Sequence, residues 1–79
     1  MKLSQYAKDV ISQRDIKLEW INDTLQNPSV RIEVSPDEFT FYKTIDEYDA
    51  RCLKVVFNPI KKLIITVYFD RGMRKKGCK

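Results

Sequence analysis

The chain has 79 residues, 43% of them hydrophobic and 33% charged. That is room for one domain with a limited core. It excludes compositional disorder, and no apolar run approaches the roughly 18 residues of a membrane-spanning helix. The net charge of +4 hides a division: residues 1–50 carry six basic and ten acidic side chains, residues 51–79 nine basic and one acidic. The second part is therefore a positive pole suited to a polyanion or an acidic protein segment.

In chain order, MKLSQYAKDV lacks the apolar centre of a secretory signal, so a cytoplasmic location is expected. Ser4 caps a first helix that carries Ala7, Val10 and Ile11 at helical spacing up to about Arg14. Arg14-Asp15-Ile16-Lys17 reads as a tight connection. A second helix follows from about Leu18 to Gln26, with Leu18, Ile21 and Leu25 on its apolar face and Trp20 to one side. Asn27-Pro28 stops it, because proline lacks a donor and restricts the residue before it. Both helices are short and need a surface to dock on.

After Pro28 the period changes from helix to strand. Val30, Ile32 and Val34 alternate with Arg31 and Glu33, and Ser35-Pro36-Asp37 signals a turn. Phe39 and Phe41 alternate with Thr40 and Tyr42, then Asp46-Glu47-Tyr48-Asp49 reads as a polar loop. Leu53, Val55 and Phe57 alternate with Cys52, Lys54 and Val56, Asn58-Pro59 turns the chain, and Leu63 to Phe69 forms a last strand. The expected architecture is α+β. Two N-terminal helices (about 4–14 and 18–26) pack on one face of a four-stranded antiparallel sheet (about 30–34, 38–43, 51–57 and 62–69), and a basic tail covers 70–79. Alternation assigns Val30, Ile32, Val34, Phe39, Phe41, Leu53, Val55, Phe57, Leu63, Ile65, Val67 and Phe69 to the covered face. Arg31, Tyr42, Lys54, Thr66 and Tyr68, with Val56 and Ile64 among them, fall on the open face.

Cys52 and Cys78 make no disulfide framework or metal spacing. Cys52 reads as a small buried apolar residue and Cys78 as part of a frayed end. With no histidine, the commonest metal ligand and general base are both missing, so no metal and no cofactor are expected.

Tyr6-Ala7, then Arg14-Asp15-Ile16 and the helix Glu19-Trp20-Ile21 with Thr24-Leu25 and Asn27-Pro28, resemble a bacterial family, the domain of unknown function numbered 4258. The closing Thr66-Val67-Tyr68-Phe69-Asp70-Arg71-Gly72-Met73-Arg74 resembles the end of the same family. The chain departs from the family at Tyr6, where histidine is usual, and at Asp15 and Lys17, where glycine and serine are usual. The resemblance implies a RelE/ParE toxin-like fold, whose members include ribosome-dependent mRNA-cleaving toxins and gyrase inhibitors, each restrained by a small partner. What it implies for this chain is a toxin of a type II toxin–antitoxin pair, and the metal-independent, ribosome-dependent mRNA endonuclease is one form of it. The alternative is a non-catalytic protein- or nucleic-acid-binding module of the same fold, such as a gyrase-inhibitor-like toxin or an inactive relative. The partners implied are a small acidic antitoxin encoded beside it, and the ribosome or RNA, with no membrane.

RNA cleavage by the 2′-hydroxyl needs a base, positive charge for the developing phosphorane and an acid for the leaving oxygen. Lys54, Arg71 and Tyr68 are the catalytic candidates: Lys54 as stabilising charge or, if desolvated, as base, Arg71 to grip phosphate, and Tyr68 to stack or donate a proton. Arg74, Lys75, Lys76, Arg31 and Tyr42 are candidates for binding nucleic acid or a partner. The plainer reading makes Tyr42 and Tyr68 cross-strand neighbours, Lys54 an edge-guarding charge, Arg71 an ion-pair partner of Asp46, Glu47 or Asp49, and Lys75, Lys76 and Lys79 a solvated tail.

Overall fold

A computed structural model describes residues 2–76 and Cys78. Its order is α1 (Gln5–Arg14), α2 (Leu18–Gln26), β1 (Val30–Ser35), β2 (Glu38–Ile45), a 3-10 turn (Asp46–Tyr48), β3 (Arg51–Asn58), β4 (Leu63–Phe69) and α3 (Arg71–Lys75). The four strands form one antiparallel sheet in chain order, so β1 and β4 are its edges. The α+β architecture with two N-terminal helices on an antiparallel sheet is as the sequence predicts, and a third helix is added at the end.

Ser4 caps α1 by accepting from the Ala7 amide at 3.0 Å, and its hydroxyl donates to the Ile65 carbonyl at 2.6 Å, which ties the helix start to β4. Asp15 closes α1 in the left-handed region at φ 52°, where a glycine would sit without strain. Lys17 stands at the cap of α2 without a side-chain cap bond. Trp20, Ile21 and Thr24 are the buried residues of α2, and Leu18, expected on the apolar face, is exposed. Leu18 lies two residues before Trp20, about 200° around the helix, so the stripe that buries Trp20 turns Leu18 to solvent.

The helices lie over one sheet face, α1 on β4 and α2 on β2 and β3. The core between them gathers Ala7, Ile16, Trp20, Ile21, Phe41, Ile45, Leu53, Val55, Ile64 and Val67. Phe39, Phe57 and Phe69 pack against it.

Two parts of the predicted face assignment are corrected. Strand β1 is turned over: Arg31 pairs with Phe41 and Glu33 with Phe39, so these polar residues share the helix-side face. Val30 and Ile32 pair with Tyr42 and Thr40 on the open face, and Ile32 and Val34 are exposed. The helices pack chiefly on β2, β3 and β4 and not on β1, so helix burial does not select which of its faces is apolar. In β4 the register shifts between Val56 and Phe57, with Phe57 opposite Ile64 and Val56 opposite Thr66. Ile65 is left unpaired, and Ile64, not Leu63 or Ile65, enters the core.

Residues 70–76 do not run on as a tail. Asp70 caps α3 by accepting from the Met73 amide at 3.0 Å. Cys78, expected in a frayed end, is buried and bonded to Cys52 with a Cα–Cα distance of 5.9 Å. Tyr42, Val30 and Met73 pack around that disulfide, and the Thr44 hydroxyl donates to the Cys78 carbonyl. The second cluster so formed fastens the chain end across the open face. Lys79 lies outside the described residues.

Candidate functional site

A cleft of about 1090 Å³ lies at the end of β4. Its floor is the free edge of that strand from Thr66 to Phe69. The rest of this edge is taken by the N-terminal segment, since the Ser4 amide donates to the Ile64 carbonyl and the Ile64 amide to the Lys2 carbonyl, each at 2.9 Å. One wall comes from α1 with Tyr6, Asp9, Val10, Gln13 and Arg14, the other from α3 with Arg71, Arg74 and Lys75. Tyr48 and Arg51 close the end beneath the 3-10 turn.

Five cations and three tyrosines therefore face one volume, with Asp9 and Asp70 as its acids. Asp70 is engaged as the α3 cap. No cation of the cleft is ion-paired among the described residues, where the ion pair present is Lys43–Asp23 at 3.3 Å. In the acidic loop the Glu47 carboxylate accepts from the Trp20 indole, and the Asp49 backbone carbonyl, not its carboxylate, accepts from Arg74 Nη2 at 2.9 Å. Arg74 is thereby aimed without its charge being cancelled. Tyr48 stacks between Trp20 and Phe69 at centroid distances of 5.2 and 4.9 Å, and the Arg51 guanidinium lies 5.0 Å over its ring.

Of the residues predicted from sequence, Tyr68, Arg71, Arg74 and Lys75 meet in the cleft. Lys54 stands beside it on the open face and donates to the Tyr68 hydroxyl at 2.9 Å. That hydrogen bond raises the Lys54 pKa above its ordinary 10.5 against the opposing effect of partial burial, and the nearby Tyr42 adds to the rise. Lys54 is thus held as an ammonium, which suits charge stabilisation and not the base role. Lys76 ends α3 exposed and outside the cleft lining. Arg31 is at the far edge of the sheet, 4.4 Å over the Phe39 ring. Tyr42 is buried against the disulfide, so its ring is not free to stack on a base.

Tyr6, Arg14, Tyr48 and Arg51 were missed. Arg14 lies in the net-acidic part of the chain, and the predicted polar loop around Tyr48 gives no hint that its ring folds back on Phe69. The Arg51 position two residues before the apolar run of β3 is the one faint signal, since a charge at a strand's entrance lies at the sheet rim.

No curated protein and no solved structure matches the chain. The family described as a domain of unknown function (DUF4258) matches residues 3–69. The match takes in both N-terminal helices, the whole sheet and the cleft residues Arg14, Arg51 and Tyr68, and it stops before α3. The chain belongs to the DUF4258 family.

Proposed function

We propose that the chain is a toxin-like module of RelE/ParE type that binds the phosphate backbone of single-stranded RNA in the cleft between α1 and α3. The observation that carries this reading is the set of five cleft cations, unpaired among the described residues, interleaved with tyrosines. Cations without acidic partners repel one another until an anion arrives, and guanidinium groups meet phosphate oxygens in two-point contacts. Exposed Tyr68 and Tyr6 offer ring faces for unstacked bases. A small acidic antitoxin would neutralise the same surface. The proposed setting is cytoplasmic, and no helix of the described residues is long and apolar enough to cross a membrane.

One observation favours a second reading, RNA cleavage. The Lys54 ammonium donates to the Tyr68 hydroxyl, which fixes the phenol oxygen at the rim of the cleft and leaves its own O–H free to donate. In that reaction the 2′-hydroxyl gives its proton to water, its oxygen forms a bond to phosphorus and the bond to the 5′-oxygen breaks; Tyr68 protonates the leaving oxygen and regains a proton from solvent, while Arg71 and Arg74 hold the phosphorane.

Fluorescence anisotropy with a labelled single-stranded RNA tests both. Replacing Arg71 and Arg74 by alanine should weaken binding at least about tenfold and flatten the salt dependence by about 1.4 in log–log slope, two phosphate contacts on a single strand. Unchanged affinity and slope would place any RNA contact elsewhere. Electrophoresis of the same RNA separates the readings, since binding alone leaves it intact.

A further inference from the structure

We infer that β1 is a homodimerisation edge, pairing antiparallel with β1 of a second copy about a twofold axis at Ile32. This goes beyond the RNA reading and does not depend on it. The cleft occupies the β4 edge, at the opposite side of the sheet. Among the described residues no strand lies beside β1 on its outer side.

The ladder fixes which backbone groups of β1 are free. The Ser29 amide donates to the Tyr42 carbonyl at 2.8 Å, so Tyr42 turns its backbone groups toward β1. Antiparallel pairs alternate between hydrogen-bonded and open. Thr40 therefore also bonds toward β1, and its partner Ile32 bonds inward, while Arg31 and Glu33 turn their amides and carbonyls to the empty edge. The other end of the sheet gives the same phase, because the Asp70 amide donates to the Cys52 carbonyl at 2.8 Å.

A second strand must then oppose Arg31 and Glu33 with its own outward residues. Three registers of a self-pair do so. Arg31 opposite Arg31 sets like charges together, and Glu33 opposite Glu33 does the same. The register with Ile32 on the axis sets Arg31 opposite Glu33 of the second copy, twice, and each such pair exchanges both backbone bonds. On the other face it brings Ile32 against Ile32 and Val30 against Val34, which covers the exposed Ile32 and Val34. Val-Arg-Ile-Glu-Val is thus its own complement when reversed, as an isologous contact requires. The register shift between Glu33 and Ser35 falls at Val34, so the regular pairing ends there and stays short, which limits further growth of the edge. So short a contact belongs to the small interface class, and the dimer should form with rising concentration.

Sedimentation of the whole chain over a concentration series tests this. The wild type should pass from monomer to dimer, and Arg31→Glu or Glu33→Arg alone should weaken association about tenfold or more. The double variant R31E/E33R restores opposite charges and should recover it. Ile32→Cys should form a symmetric intermolecular disulfide, since an open antiparallel pair brings the two Cα atoms to about 4.5 Å, and Arg31→Cys should not. A wild type that stays monomeric into the hundreds of micromolar (roughly, the range a weak edge contact would need) overturns the inference. Single swaps without effect, a double swap that fails to recover, or equal cross-linking at both positions also overturn it. Circular dichroism on each variant confirms that exposed Arg31 and Glu33 were changed without unfolding.

Discussion

Lys54 Nζ donates a hydrogen bond of 2.9 Å to the Tyr68 hydroxyl across a directly opposed pair of β3 and β4. The same nitrogen lies 5.2 Å from the Tyr68 ring centroid and 5.8 Å from that of Tyr42, so an ammonium is set between two phenols. The bond to Tyr68 raises the lysine's pKa. For a base with a raised pKa, the stabilising contribution is complete below the ordinary value of 10.5 and fades as pH rises through the folded-state value. Tyr68→Phe should lower the Lys54 pKa in an NMR titration of its side chain. RNA affinity of the wild type should hold level from about pH 7 to about pH 9, a range in which the ammonium does not titrate. A titration unmoved by Tyr68→Phe means the contact is not made in solution.

Val67 is fully buried between the helices and the sheet, opposite Val55. Val67→Asp sets an unpaired carboxylate there, at a cost on the order of 4 kcal/mol. A domain of this size holds roughly 4–12 kcal/mol in all. The variant should therefore lose most of its cooperative melting, read by calorimetry. An unchanged transition would remove Val67 from the core.

That core position was legible because Val67 alternates with Thr66 and Tyr68 in a strand covered on one face only. The rule fails where its physical basis is missing. Val-Arg-Ile-Glu-Val alternates as cleanly, but β1 is an edge strand on which the helices do not chiefly pack, so helix burial does not choose its apolar side. Leu63-Ile64-Ile65 is apolar throughout, so nothing in it marks the unpaired residue that puts Ile64 inside. The short helix α3 was hidden by four mutually repelling cations, although Asp70 as cap and Met73 as anchor are its signals. In the cleft, Tyr68, Arg71, Arg74 and Lys75 are close in sequence and could be grouped by eye. Arg14, Tyr48 and Arg51 join them through tertiary folding, which no local spacing encodes.

The α1–α2 connection carries removable costs. Asp15 occupies the left-handed region, where a side chain is disfavoured, and Lys17 leaves the α2 cap without a side-chain acceptor. Asp15→Gly and Lys17→Ser should each stabilise the domain by about 0.5–1 kcal/mol, measured by urea denaturation. The serine gain is reduced by loss of the Lys17 contact 5.4 Å over the Trp20 ring. Because the two sites adjoin the wall of the cleft without lining it, RNA affinity should not change. A destabilised Asp15→Gly variant would show that the carboxylate contributes more than its backbone costs.

The Cys52–Cys78 bond closes a loop of sequence separation 26. Cross-linking such a loop limits the unfolded chain and stabilises the fold by up to about 3.5 kcal/mol in the chain-entropy account. It also holds α3, since Met73 packs on the same cluster and the Cys78 amide donates to the Met73 carbonyl at 3.1 Å. Arg71, Arg74 and Lys75 ride on that helix. Reduction should therefore lower the melting temperature and weaken RNA binding together, chiefly through faster dissociation as the α3 wall loosens. Cys78→Ala should reproduce both losses without reductant and make the protein insensitive to it. In a reducing cytoplasm, where such bonds are rare, the weaker state would prevail and the oxidised state would be the tighter binder. If reduction lowers stability but leaves RNA affinity unchanged, the Asp70 cap and Met73 hold α3 in place by themselves, and the disulfide has no part in shaping the cleft.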